Sequence, residues 1–155
     1  MIRILVAALA LTVASSLHAQ AAPVAAPAVD PSFATPAAGT WTYSSTADGS
    51  EASFAGASAQ LTLHCTRAIR QVVLSRPATG AAPFLSVWTS GLNRNLPASF
   101  NPATGRLSAT LAAFDPLLDA IAFSRGRVGV GISGQPLLIV PAWQDATRVI
   151  EDCRV

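Results

Sequence analysis

Lysine is absent from this chain: all ten basic residues are arginine, set against eight acids. Without a basic excess or stripe, a nucleic-acid-binding surface is excluded as an expectation. The all-arginine, alanine-rich usage reads as a coding bias of the genome and carries no mechanism. Histidine is nearly as scarce, with only His18 and His64, and cysteine is reduced to Cys65 and Cys153 with no C-x-x-C spacing. One histidine in the body of the chain and two cysteines that pair with each other cannot supply the three or four ligands of a zinc or iron site. No metal and no cofactor is therefore expected. No serine sits in G-x-S-x-G, so the sequence signature of a nucleophile elbow is missing.

Long apolar runs are also missing. The longest opens the chain: Arg3, then Ile4 to Val13, then small residues ending in Ala19-Gln20-Ala21. A positive start, a short apolar core and an A-x-A ending describe a secretory signal peptide, residues 1–21. About ten apolar residues fall short of the ~20 that cross a bilayer. The expected product is a periplasmic or secreted protein without a membrane span. Without residues 1–21, nine arginines face eight acids, close to neutral. Residues 22–39 carry four prolines and much alanine with no helical period, and read as a flexible leader. The globular domain is expected over residues 40–155.

Within it, the final forty residues are the most legible. Asp115 before Pro116 is a helix start, because the carboxylate accepts from orphan N–H groups and proline has no donor to lose. Leu117, Leu118, Ile121 and Ala122 make one apolar face, with Arg125 in the last turn and Gly126 as the stop. The period then changes to two: Val128, Val130 and Ile132 alternate with Arg127, Gly129, Gly131 and Ser133. Ser133 to Pro136 is a turn, Leu137 to Val140 the returning strand. Trp143, Ala146, Ile150 and Cys153 then fall on one stripe of a second helix, with Arg148 and Asp152 as an i, i+4 pair.

Upstream, strands are expected at 40–46, 50–54, 60–66, Ile69 to Ser75, Phe84 to Ser90 and Arg106 to Leu111, with 92–96 extending or pairing with 84–90. Arg76 to Pro83 reads as a loop. In residues 60–66 Leu61, Leu63 and Cys65 share one face, Thr62, His64 and Thr66 the other. In an oxidising compartment, two inward-facing cysteines 88 positions apart are most simply one disulfide. It would pin the last helix to strand 60–66; the alternative is a reactive or metal-binding pair.

For chemistry, His64 would have to serve any Ser-His-Asp site, with a serine such as Ser90 or Ser124; its strand parity, opposite Cys65, instead makes it a surface or second-layer residue. Asp115 and Asp119, one turn apart, read as a cap and a solvated position and not as an acid/base pair. The most suggestive surface is Ser124, Arg125 and Arg127 beside Gly129 and Gly131: a backbone floor next to a guanidinium that can hold a carboxylate or phosphate. The plain alternative is that the glycines admit a neighbouring element and Arg127 pairs with Asp119 or Glu151. Trp41, Trp88 and Trp143 are expected at the core or its edge.

The segment FDPLLDAIAFSRGR followed by LIVPAWQDATRVIEDCR resembles the ending of a group of uncharacterised small exported alphaproteobacterial proteins, with the likeness running from Leu61 onward. More distantly, the order of a cysteine-bearing strand, further strands, helix, strand and a helix ending in cysteine looks like the invasion-associated locus B protein and the periplasmic accessory proteins of type VI secretion. The resemblance implies a compact β-rich domain with a stapled helix and carries over no catalytic residue.

The expected fold is α+β: one antiparallel, β-rich, sandwich-like domain of about seven strands and two helices, with the C-terminal helix stapled to the sheet by Cys65–Cys153. The expected function is a non-catalytic binding or envelope-associated module that meets a protein or envelope component at Ser124, Arg125 and Arg127. A secreted inhibitor of a protease or cell-wall hydrolase is the alternative, and a hydrolase the reading the residues support least.

Overall fold

In a computed structural model the chain is described over residues 30–57, 60–142 and 144–155. Among these residues there are ten strands: β1 Thr40–Ser45, β2 Gly49–Ala55, β3 Gln60–Thr66, β4 Gln71–Pro77, β5 Phe84–Trp88, β6 Asn93–Pro97, β7 Ser99–Asn101, β8 Arg106–Ala112, β9 Val128–Ile132 and β10 Leu138–Val140. The helices are α1, Pro116–Ala122, and α2, Gln144–Asp152. Every strand pairing is antiparallel. One sheet has six strands in the order β1-β2-β3-β4-β8-β7, the other four in the order β10-β9-β5-β6. The expected class is thus the observed one, while seven strands become ten. The three-residue β7, between Pro97 and Pro102, is too short for its alternation to mark a strand in the sequence, and it pairs with β8.

Alternation sorts the faces. Leu61, Leu63 and Cys65 of β3, Val72 and Leu74 of β4, and Leu107, Ala109 and Leu111 of β8 are buried together with Leu85, Val87, Val130 and Ile132 of the smaller sheet. Both sheets and both helices contribute to one hydrophobic core. Helix α2 covers β1 to β3, and the smaller sheet meets the larger at β8. Apolar area removed from water on this scale is the main stabilising contribution. Among the described residues no helix is long and apolar enough to cross a membrane.

Helix α1 begins as expected: Asp115 accepts from the Leu117 N–H at 2.9 Å and Pro116 takes the first position. It ends earlier than the sequence suggests. Phe123 closes it by donating to the Asp119 carbonyl, and Arg125 and Gly126 lie in the turn beyond. The cause is partly tertiary: the distant Ser90 N–H donates to the Ser124 hydroxyl at 3.1 Å, and that hydroxyl in turn donates to the Arg127 carbonyl, which turns the chain before Gly126.

The Asp115 carboxylate also holds Arg94 of β6 through both oxygens at 2.7 Å. Burial acts to raise the pKa of Asp115, but the Arg94 and Leu117 hydrogen bonds and the guanidinium charge together bring it below the usual carboxylate range. A carboxyl whose folded value lies below its unfolded one contributes stability above about pH 4 and loses it as the pH falls through the folded value. Asp115→Asn keeps a capping oxygen and removes the ion pair. It should cost about 1 kcal/mol at pH 7. Urea melts of both forms from pH 7 to 2.5 should converge at the acid end; a gap independent of pH would show that the charge is not what the variant removed.

Helix α2 buries Ala146, Val149 and Ile150, and Cys153 follows on the same stripe; the Trp143 expected there lies outside the described residues. Cys153 is bonded to Cys65, with their α-carbons 5.6 Å apart. The expected Arg148–Asp152 pair is not formed. Tyr43 of β1 donates to Asp152 at 2.7 Å, and the Arg148 guanidinium lies over the Tyr43 ring at 3.8 Å. An aromatic delivered by another element offers both groups a better partner than each other.

Candidate functional site

The three residues singled out from the sequence form a braced turn. Ser124 is buried; its hydroxyl donates to the Arg127 carbonyl and accepts from the Ser90 N–H at 3.1 Å. Ser90 in turn accepts from the Arg125 N–H at 2.9 Å. Arg127 pairs with neither Asp119 nor Glu151, both of which hold Arg154, at 2.7 and 3.1 Å. Its guanidinium donates instead to the carbonyls of Ser32 and Ala34, at 2.7 and 3.0 Å. The Ala37 N–H reaches the Ile139 carbonyl at 2.8 Å. Part of the Ala/Pro-rich segment is thereby tied along the free edge of β10. Arg125 alone of the three presents an exposed side chain.

The glycine floor is likewise taken. A Cβ on Gly129 would lie 3.2 Å from Ile139 and 3.3 Å from Trp88, and one on Gly131 3.4 Å from Leu137. These glycines admit neighbours closely, which is the plain reading of their pattern.

His64 sits half-exposed on the outer face of the six-stranded sheet, its ring 3.1 Å from Asp48 and 3.6 Å from Glu51. Hydrogen bonds from Thr46 and then from His64 hold the Asp48 carboxyl below its usual range. Among the described residues the polar partners of the ring are these two acids. Among the described residues no group of three histidine, cysteine or acidic side chains is placed to hold a metal ion.

The structure draws attention to a residue the sequence reading left in a loop. Arg76 belongs to β4, on the inward parity of Val72 and Leu74 and opposite Leu107. It crosses between the sheets and donates to the carbonyls of Val130 and Pro136. Burial lowers its pKa from the ordinary arginine value. Arg94 and Arg154 are paired with acids, whereas Arg76 has no carboxylate within ion-pair distance among the described residues, and its Nε is buried without a partner. Beside it opens a cleft of about 640 Å³, lined by Gly56, Ala57, Gln60, Arg76, Gln135 and Leu137. A half-buried cation with two amide side chains at the mouth of a cleft is suited to a carboxylate or another small anion. The readable signal was an arginine continuing the core parity of a strand.

The chain is, on its geometry, a two-sheet antiparallel sandwich with a disulfide-stapled helix and one cleft bearing an uncompensated cation. No family model matches it, and neither a curated protein nor a solved structure does.

Proposed function

We propose that this chain is an exported, non-catalytic binding module that holds a small anion, or a carboxylate of a partner, in the cleft beside Arg76. The observation that carries the reading is the half-buried guanidinium whose hydrogen bonds go to carbonyls and whose charge has no acid beside it. Burying an uncompensated charge is unfavourable, and an anion entering the cleft relieves it. The disulfide fits an oxidising compartment. Titration of the disulfide-bonded protein with acetate, succinate and inorganic phosphate, followed by the Arg76 Nε–H NMR signal, tests the proposal. Saturable shifts should appear for at least one anion, and Arg76→Gln should weaken them about tenfold or more. Small shifts shared by all arginines and unchanged in the variant would sink it.

A secreted inhibitor is the second reading, favoured by one loop. Phe123 is 80% exposed next to the exposed Arg125, on the turn braced by Ser90 and Ser124. A rigid loop presenting an aromatic and an arginine is the kind of element that enters a partner's cleft. Capture from periplasmic and envelope extracts separates the two: a partner lost with Phe123→Ala and kept with Arg76→Gln favours the inhibitor.

A further inference from the structure

The face of the four-stranded sheet that points away from the core carries a second pattern, which meets the Arg76 cleft at Leu137. Along β5 the outward residues are Phe84, Ser86 and Trp88. The register sets Asn95 opposite Ser86 and Asn93 opposite Trp88 on β6, and Gly131 and Gly129 opposite the same two residues on β9. Two adjoining clefts of about 360 and 310 Å³ run along this face and share Ser86 and Asn95. One reaches Phe84, which is 48% exposed, and Gly131; the other reaches Trp88, Asn93 and Leu137.

The chemistry of the lining is selective. The one ionisable residue along it is Arg94, whose guanidinium is turned inward to Asp115 at 2.7 Å. Ser86 donates to the Asn95 Oδ1 at 2.7 Å, and Asn93 accepts the Thr89 N–H at 3.2 Å, which fixes both amides with their NH2 groups toward solvent. Neither NH2 donates to another described residue. Two aromatic rings about 13 Å apart along one strand thus bracket a hydroxyl and two oriented amides. On the β9 side the Leu137 side chain lies over Gly129 and Gly131, so the floor there is apolar.

We propose that this face binds a neutral oligosaccharide. The apolar C–H face of a sugar ring packs on Trp88 and on Phe84, while its hydroxyls receive the Asn93 and Asn95 NH2 donors. Other occupants fit less well. A nucleic acid or acidic polymer needs cations that this face lacks. A lipid needs a continuous apolar patch, which Ser86, Asn93 and Asn95 interrupt. An added peptide strand needs a free sheet edge, whereas β5 lies inside the sheet between β6 and β9.

The test is calorimetric titration of the disulfide-bonded protein with cellohexaose, xylohexaose, maltohexaose and chitohexaose, with polygalacturonate as the charged comparison. At least one neutral hexasaccharide should bind saturably and more tightly than polygalacturonate. Trp88→Ala and Asn95→Ala should each weaken it about tenfold or more, while Arg76→Gln leaves it unchanged. Asn95, exposed and outside the core, gives a variant that folds even if Trp88→Ala does not. No binding of any of the four sugars, or binding equal in wild type and Asn95→Ala, overturns the proposal. Loss in Arg76→Gln alone would place the sugar in the other cleft and overturn it too.

Discussion

Replacing Cys65 and Cys153 together by alanine is expected to lower the free energy of unfolding by about 4 kcal/mol. The bond joins residues 88 positions apart, and closing a loop of that length in the unfolded chain is worth about 4–5 kcal/mol in the chain-entropy treatment. Stabilities of about 5–15 kcal/mol are usual for a domain of this size. The loss is therefore a large share of the total. The local consequence is equally specific. Helix α2 has nine residues, too few to persist without packing, and its C-terminal end is held by Cys153. Its amide protons should lose protection before those of β3 and β4. Urea melts of the oxidised protein, the reduced protein and the double variant measure the effect. The reduced and doubly substituted forms should agree within about 1 kcal/mol and show a larger m-value, because the uncross-linked chain exposes more surface on unfolding. A difference below about 1 kcal/mol from the oxidised protein would mean that packing of α2 on β1 to β3 suffices without the bond.

Phe54→Ala should be nearly as damaging, at about 3–4 kcal/mol. Phe54 is 1% exposed and lies directly across from Trp41, the ring centroids 5.5 Å apart and the planes tilted by 59°. Its far end also meets Gly39, where a Cβ would sit 2.6 Å from the ring. Three things are lost together: buried area, the aromatic pair and the anchor of an edge strand. Strand β1 has β2 as its one neighbour, and Trp41 is held besides by its hydrogen bond to the Pro141 carbonyl at 3.0 Å. Phe54→Leu, which restores most of the volume, should cost no more than about 1.5 kcal/mol. If the alanine variant lost under about 1.5 kcal/mol, Trp41 would have rotated into the space, and its fluorescence would shift accordingly.

Much of this architecture was legible because it depends on chain-local chemistry. The Asp115-Pro116 start of α1 needs only a carboxylate two residues from an amide. Parity alone puts Leu61, Leu63 and Cys65 on one face of β3, and Val128, Val130 and Ile132 on one face of β9. That parity turned Cys65 inward, the helical stripe of Ala146 and Ile150 turned Cys153 inward, and an inward pair in an oxidising compartment implies the bond. Where the reading departed from the structure, a distant residue had intervened. Ser124 met Ser90 and the Arg127 carbonyl, so α1 stopped before Arg125; Tyr43 took both Arg148 and Asp152; the carbonyls of Ser32 and Ala34 took Arg127.

The sequence by itself determined the class of fold, the faces of its main strands, the cap of α1 and the cysteine pair, since each follows from spacings of two, three or four residues. The tertiary structure decided the order of the strands, which β8 shows by pairing with β4 and not with β5. It also decided the partner of each arginine. Among the described residues only Arg94 and Arg154 are paired with acids, and what each of the others meets is settled by the elements around it. Arg76 points between the sheets, where carbonyls and no carboxylates await it. The row of Phe84, Ser86 and Trp88 was readable along β5, but only pairing with β6 and β9 set amides on one side of it and glycines on the other. A strand's own residues specify its faces; its neighbours, drawn from remote parts of the chain, specify what each face becomes.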